Sequence, residues 1–173
     1  YLELGGKSPN VVFADAPDLE KAAKVSTMGI FRNSGQVCVA GSRLLVEDSI
    51  HDEFVAAMAK HASAIKVGDP LDLGSDVGAV NSLGQLEADL KFVEIAEAEG
   101  ATRVTGGGRV LAETGGYYMA PTIMTGVKPS DNLFKNEVFG PVLAVTIFKN
   151  EVDTGLFLRR LISLNISFLV GFK

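Results

Sequence analysis

The chain has 173 residues, of which 47% are hydrophobic and 21% charged, values typical of a globular protein that can bury a full core. Its formal charge of −5 and its pI near 5.0 argue against a nucleic-acid-binding surface, since no basic stripe is visible. A single cysteine excludes an internal disulfide and fits a reducing compartment, for which we predict the cytoplasm.

The first predicted elements are a strand and a helix. An apolar run at residues 10–13 predicts a short buried strand. Pro17 or Asp18 then stands where a helix could begin, and the buried positions of that helix continue to Ile30. The helix should end before Gly35.

Residues 43–47 predict a second strand, which is followed by an amphipathic helix. Ser49 and Asp52 form the predicted N-terminal cap of this helix. His51 and His61 lie within it without a second metal ligand at a useful spacing, so we predict surface histidines and no metal site. The predicted buried face repeats every three or four positions and comprises Ile50, Phe54, Met58, Ala62 and Ile65.

A glycine-rich loop leads to a third helix that should end at Gly100. Its predicted apolar stripe comprises Leu83, Leu86, Leu90 and Val93. The glycine triplet 106–108 predicts a turn, and residues 117–124 and 142–148 predict further strands. Strands that alternate with helices predict an α/β fold with a largely parallel sheet flanked by helices.

Three short segments contain the residues best suited to chemistry. Residues 2–7 read Leu-Glu-Leu-Gly-Gly-Lys, residues 35–43 read Gly-Gln-Val-Cys-Val-Ala-Gly-Ser-Arg, and residues 136–142 read Asn-Glu-Val-Phe-Gly-Pro-Val. Alone, Cys38 could be a small buried hydrophobe and Glu3 a solvated carboxylate. Together they suit covalent catalysis that ends in hydrolysis, because a thiolate attacks a carbonyl and a carboxylate activates water.

In their order and spacing, these segments resemble the three signature segments of the aldehyde dehydrogenase superfamily. The resemblance implies an aldehyde-dehydrogenase-like catalytic domain over residues 1–153. It also implies an enzyme that oxidises a small-molecule aldehyde to a carboxylic acid with NAD or NADP. The parent enzyme is expected to be a homo-oligomer with no nucleic-acid or membrane partner.

The resemblance also implies roles for single residues. The Cys38 thiolate would attack the aldehyde to give a thiohemiacetal, which loses a hydride to the nicotinamide and becomes a thioester. The backbone amide of Cys38 would donate to the oxyanion, and Glu3 would activate the water that hydrolyses the thioester.

Three further residues are implied to bind the cofactor. Glu137 would accept hydrogen bonds from the nicotinamide ribose hydroxyls, and Phe139 would pack near the nicotinamide ring. Gln85 falls where the family has a further ribose-contacting glutamine, although Ala88 replaces a lysine expected nearby.

The two ends of the chain raise separate expectations. The sequence begins within the first segment and without a methionine, which predicts a piece of a longer protein whose cofactor domain lies upstream. We therefore expect the isolated chain not to oxidise aldehydes at a measurable rate. Residues 154–173 form an apolar tail that departs from the family, and a shifted reading frame or a truncation is the favoured explanation. Two adjacent arginines and its short length argue against a transmembrane helix in this tail.

A second hypothesis assigns no catalysis to the chain. A catalytically silent descendant of the same family could serve as a structural or interaction domain. Thiol alkylation separates the two hypotheses, because a silent, buried cysteine should react slowly.

Overall fold

The computed structural model describes residues 6–162 and 170–172, so Glu3 lies outside the described residues. The α-helices of this described part are α1 (Leu19–Phe31), α2 (His51–Ala64), α3 (Leu83–Ala98), α4 (Asn132–Lys135) and α5 (Glu151–Ile162). Its strands are β1 (Pro9–Val12), β2 (Arg43–Glu47), β3 (Thr102–Thr105), β4 (Arg109–Val110), β5 (Tyr118–Met119), β6 (Thr122–Thr125), β7 (Val142–Phe148) and β8 (Val170–Phe172).

Six strands form one sheet in the order β3-β6-β7-β2-β1-β8. Every neighbouring pair in it is parallel except β3 and β6, which are antiparallel. Strands β1, β2 and β7 read as continuous apolar runs because helices cover both faces of the sheet. The prediction of an α/β fold with a largely parallel sheet is confirmed.

The core has two halves, one on each face of the sheet. Successive side chains of a strand point to opposite faces, so Leu45 belongs to one half while Leu44 and Val46 belong to the other. The half that contains Leu45 packs against α3 and α4. The half that contains Leu44 packs against α1 and α2, where Phe54 and Met58 are almost fully buried.

Local signals explain where α1 begins and where α3 ends. The Asp18 carboxylate accepts a hydrogen bond from the Lys21 N–H at 2.9 Å and so caps α1, as predicted. Gly100 adopts a φ of +97° just after α3, a conformation that favours glycine and lets Ala101 N–H donate back to Ala96 O.

Three predictions made from the sequence are wrong: a helix cap, a buried position and the extent of a strand. Ser49 does not cap α2, because its hydroxyl donates to the Glu47 carboxylate and Ile50 stands at the N-cap position without a side-chain bond. Leu83 is 44% exposed instead of buried. The single strand predicted over residues 117–124 is two strands, β5 and β6, separated at Pro121, which has no N–H to donate to a ladder.

The predicted boundary at residue 153 falls inside α5. Beyond it, the Phe157 ring meets Phe134 edge-on at 6.5 Å between centroids, and Phe157 packs against the core. Strand β8 pairs in parallel with β1. Residues 163–169 lie outside the described residues, so the independent tail stays a prediction. No helix within the described ranges is long and apolar enough to cross a membrane.

Candidate active site

Three neighbouring parallel strands begin at the same edge of the sheet, and each is preceded by one of the three segments. Gly6 lies just before β1, Cys38 just before β2 and Gly140 just before β7. Because β1, β2 and β7 are adjacent in the order β7-β2-β1, the sheet brings the three segments together at its amino edge. Sequence reasoning could have placed all three segments at one edge of a parallel sheet, since each stands directly before a predicted strand, whereas their adjacency follows from the strand order.

The segment before Cys38 turns sharply after α1. Asn33, Ser34 and Gly35 all have left-handed backbone conformations, with φ values of +54°, +56° and +72°. Such conformations are costly for residues other than glycine and are tolerated where surrounding contacts hold them. Cys38 follows in a tight turn closed by the Ala40 N–H, which donates to Val37 O at 2.9 Å.

Hydrogen bonds hold the turn that leads to Cys38. The Ser34 hydroxyl donates to Gly78 O at 2.7 Å, and the Asn33 side-chain amide donates to Gln36 O at 3.0 Å. The Asn81 N–H donates to the Gln36 side-chain oxygen at 3.0 Å. The loop between α2 and α3 therefore fixes the approach to the cysteine.

Cys38 is exposed, so its thiol can reach a small molecule from solvent. Within the described ranges, the Cys38 N–H has no hydrogen-bond acceptor. An N–H in this position can donate to an oxygen that develops negative charge when the sulfur attacks a carbonyl.

Gly6 joins the first segment to both of the others. A Cβ at Gly6 would overlap the carbonyl oxygen of Cys38, so only glycine permits this close approach of the two backbones. The Gly6 N–H donates to Glu137 Oε1 at 2.8 Å. Glu3 lies three residues before this contact, outside the described residues, and its role stays a prediction.

Arg43 donates hydrogen bonds to the backbone at the start of the third segment and just before it. Its side chain is buried; Nε donates to Phe134 O at 3.1 Å, and a second guanidinium nitrogen donates to Asn136 O. Burial lowers the pKa of Arg43 to about 10, while the Glu137 carboxylate opposes that shift, so the guanidinium stays charged at neutral pH. The pKa of Lys7 is also lowered, mainly by burial and then by the charge of Arg43, and the Glu137 carboxylate partly opposes this shift.

Glu137 and Phe139 occupy the turn at residues 137–140. Glu137 is half-buried, and Phe139 is 38% exposed with a φ of +57°. A Cβ at Gly35 would overlap the Gly140 carbonyl oxygen, so the second and third segments also touch through glycines. The turn thus presents a carboxylate and an aromatic ring beside the cysteine segment.

Gln85 lies beneath this turn, where α3 begins. Its side-chain nitrogen donates to Asp89 Oδ1 at 2.7 Å and to Val138 O at 2.9 Å. Both amide hydrogens are therefore used inside the protein, which leaves the carbonyl oxygen as the group that could accept from a ribose hydroxyl. Its predicted cofactor contact is limited to that oxygen.

Sequence reasoning missed Asp89, a carboxyl group that is fully buried on α3. Burial raises its pKa to about 7, and the hydrogen bond from Gln85 partly opposes that rise. Helical spacing offered a signal, because position 89 lies three residues after Leu86 and four before Val93, both of which are buried. A search for apolar residues alone passes over it.

The two histidines lie away from this site and are partly buried. The His51 ring bonds to Thr125 Oγ1 and the Asp52 carboxylate, and His61 pairs with Glu20. Within residues 6–162, no three His, Cys, Asp or Glu side chains are grouped to hold a metal ion.

Comparisons with family models, with curated proteins and with solved structures all give aldehyde dehydrogenases. A model of the aldehyde dehydrogenase family matches residues 1–155. The chain is 47% identical over 152 residues to aminoaldehyde dehydrogenase 2 of Zea mays, a match that covers 88% of this chain and 30% of that protein. The chain therefore spans less than a third of that relative's length.

Solved structures agree with this match. The aldehyde dehydrogenase KauB from Pseudomonas aeruginosa has a TM-score of 0.87 and 45% identity, covering 93% of this chain and 32% of that one. Betaine aldehyde dehydrogenase from Staphylococcus aureus, solved with NAD+ and a BME-modified cysteine, has a TM-score of 0.87 and 37% identity. This second match covers 91% of the present chain and 32% of the other.

Proposed function

The chain belongs to the aldehyde dehydrogenase family, and we propose that its Cys38 is the nucleophile in an NAD(P)+-dependent oxidation of an aldehyde to a carboxylic acid. One observation supports this proposal above the others: an exposed cysteine lies against Gly6, whose N–H is in turn bonded to Glu137.

In the proposed reaction, the Cys38 sulfur forms a bond to the carbonyl carbon, and the carbonyl oxygen gains the electron pair. The Cys38 N–H donates to this oxyanion. A bound NAD(P)+ would supply the hydride acceptor, so that the oxyanion on the Cys38 adduct could re-form the carbonyl and leave a thioester on Cys38. The chain's part in this step is to hold the carbon and the oxyanion in place.

Hydrolysis completes the reaction and regenerates the thiol. We assign the general base to Glu3, which would take a proton from water as the water oxygen attacks the thioester carbonyl and the carbon–sulfur bond breaks. Glu3 precedes Gly6 by three residues in the sequence, and the backbone of Gly6 adjoins that of Cys38. This short separation along the chain supports the assignment.

The 137–140 turn fits the nicotinamide end of a dinucleotide. A carboxylate has roughly four lone-pair sites, so the bond from Gly6 leaves Glu137 able to accept from a ribose hydroxyl. The exposed ring of Phe139 offers a flat apolar surface beside it. We therefore propose that Glu137 and Phe139 bind NAD or NADP, with Gln85 contributing only through its carbonyl oxygen.

The proposal also covers the substrate, the assembly and the compartment. The substrate is a small-molecule aldehyde, in keeping with the aminoaldehyde and betaine aldehyde dehydrogenases that the chain resembles. A homo-oligomeric parent enzyme and a cytoplasmic location stay proposals. The single cysteine favours a reducing compartment.

Alkylation of the thiol tests the proposed role of Cys38. We expect iodoacetamide to modify the folded chain faster than the same chain unfolded in urea at the same pH, because a nucleophilic cysteine is both accessible and activated. Cys38 is the only cysteine, so each added group reports on this residue, and Cys38→Ser is the blank. Slower modification of the folded chain would favour the silent domain.

A further inference from the structure

Gln85 and Asp89 lie one turn apart on α3, directly beneath the 137–140 turn. The Gln85 side-chain nitrogen bridges Asp89 Oδ1 at 2.7 Å and Val138 O at 2.9 Å. A Cβ at Gly140 would overlap the Asp89 carboxyl group, so that carboxyl packs against the backbone on the far side of Phe139. The pair therefore contacts the turn both before and after Phe139.

A buried carboxyl group at this position is costly. Asp89 is fully buried, and within the described residues its Oδ2 has no hydrogen-bond partner. Burial without full hydrogen bonding disfavours the charged group, as the raised pKa of Asp89 reflects. An apolar residue would fill the same space without this cost, so packing alone does not account for Asp89.

The turn above has a conformation that needs support. Phe139 has a φ of +57°, a left-handed conformation that is unfavourable for a residue with a Cβ. Such a conformation persists only when its surroundings hold it. The bond from Gln85 to Val138 O fixes the peptide just before Phe139, and the Asp89 carboxyl fixes the amide orientation of Gln85.

We propose that Asp89 is a positioning residue, which acts through Gln85 and Val138 O to direct the Phe139 ring toward the cofactor. The link to the cofactor rests on the proposed function, whereas the link from Asp89 to Phe139 does not. In this proposal the main role of Gln85 is to support the turn through its side-chain nitrogen, and a contact of its carbonyl oxygen with a ribose is a lesser role.

Fluorine NMR of the full chain labelled with 4-fluorophenylalanine tests this coupling. Ten phenylalanines give separate probes, and Phe139→Leu identifies the resonance of Phe139. We expect Asp89→Leu and Gln85→Leu each to shift the Phe139 resonance, and the double variant to shift it no further. Asp89→Asn keeps an oxygen that can accept a hydrogen bond from Gln85, so the Phe139 resonance of this variant should stay at its native position.

Matched controls separate positioning from general loosening. Glu87→Gln changes an exposed carboxylate on the same helix and should leave the Phe139 resonance in place. The Phe54 resonance, in the other half of the core, reports whether each variant is folded. If Asp89→Leu does not fold, Gln85→Leu and Asp89→Asn still decide the matter.

The proposal is overturned if Phe139 does not move in Gln85→Leu, if the two single effects add in the double variant, or if Asp89→Asn shifts the ring as Asp89→Leu does. Iodoacetamide modification of Cys38 in the same samples tests the proposed function separately. A slowly reacting Cys38 with a coupled Phe139 would contradict the proposed function and leave the positioning role intact.

Discussion

Asp89 introduces an ionisable group into the core beneath the 137–140 turn. Its pKa, raised to about 7 by burial, means that the folded chain holds a proton that the unfolded chain releases at a lower pH. Between the unfolded value of about 3.9 and the folded value, the folded state binds more protons, so stability falls as pH rises. This slope is opposite in sign to that of a salt-bridged aspartate.

We predict that Asp89→Asn changes this pH dependence. Between pH 5 and pH 8, the wild-type chain should lose about 2–3 kcal/mol of unfolding free energy relative to Asp89→Asn, at about 1.4 kcal/mol for each unit of pKa shift. Urea unfolding at several pH values measures both curves, and the subtraction removes the contributions of other carboxylates. A difference that stays constant with pH would show that Asp89 is charged throughout this range.

Single residues also mark the limit of sequence reasoning at this scale. Cys38, Glu137 and Phe139 can be singled out from sequence because they lie in recognisable segments, and Gln85 because it falls where the resembling family has a glutamine. Asp89 cannot, because the pattern that predicts a buried helix face counts apolar residues. The left-handed Asn33 and Ser34 also escape prediction, since their conformations depend on bonds to distant residues such as Gly78.

At the scale of elements, the turn between α1 and β2 depends on Gly35. It combines a φ of +72° with direct contact to the Gly140 carbonyl, so a side chain would meet both a strained backbone and another backbone. Gly100 has a φ of +97°, but a Cβ added there would meet no atom within 4 Å. A side chain at Gly100 would therefore strain the backbone without overlapping another part of the chain.

We therefore predict that Gly35→Ala destabilises the chain more than Gly100→Ala does. Gly100→Ala should cost about 1–2 kcal/mol from backbone strain alone. Gly35→Ala should cost at least about 2 kcal/mol more, because the contact between the second and third segments must open. Urea unfolding gives the two values, and equal losses would contradict the close contact between Gly35 and Gly140.

The element boundaries agree with the sequence-based predictions where interactions between neighbouring residues determine them. The β1 and β2 strands and the Asp18 cap are predictable because apolar runs and a capping carboxylate act within a few residues. Ser49 failed as a cap because a neighbouring carboxylate, Glu47, takes its hydroxyl. Whether a strand continues past Pro121 depends on which partner strand is available, and that information is not local.

At the scale of the whole molecule, the parallel sheet explains why three distant segments form one site. The strands that follow them are adjacent and start at one edge, so residues 6, 38 and 137–140 meet although about a hundred positions separate the last two. The α/β class was predictable from alternating elements. The strand order, with β7 beside β2, is set by long-range packing that periodicity does not encode.

Acyl transfer from p-nitrophenyl acetate to Cys38 tests the central claim most directly. Attack by the thiolate would release p-nitrophenolate and leave an acetyl thioester on Cys38, with no cofactor needed. We predict a burst of p-nitrophenolate, an acetyl group located on Cys38 by peptide mass, and neither in Cys38→Ser.

In the same assay, Glu3→Gln should keep the burst and slow the loss of the acetyl group by roughly 10²–10⁴-fold, as expected for a missing general base. Glu20→Gln, which removes an exposed carboxylate of α1, is the matched control and should leave both phases unchanged. A folded chain that forms no acetyl thioester on Cys38 would contradict the account.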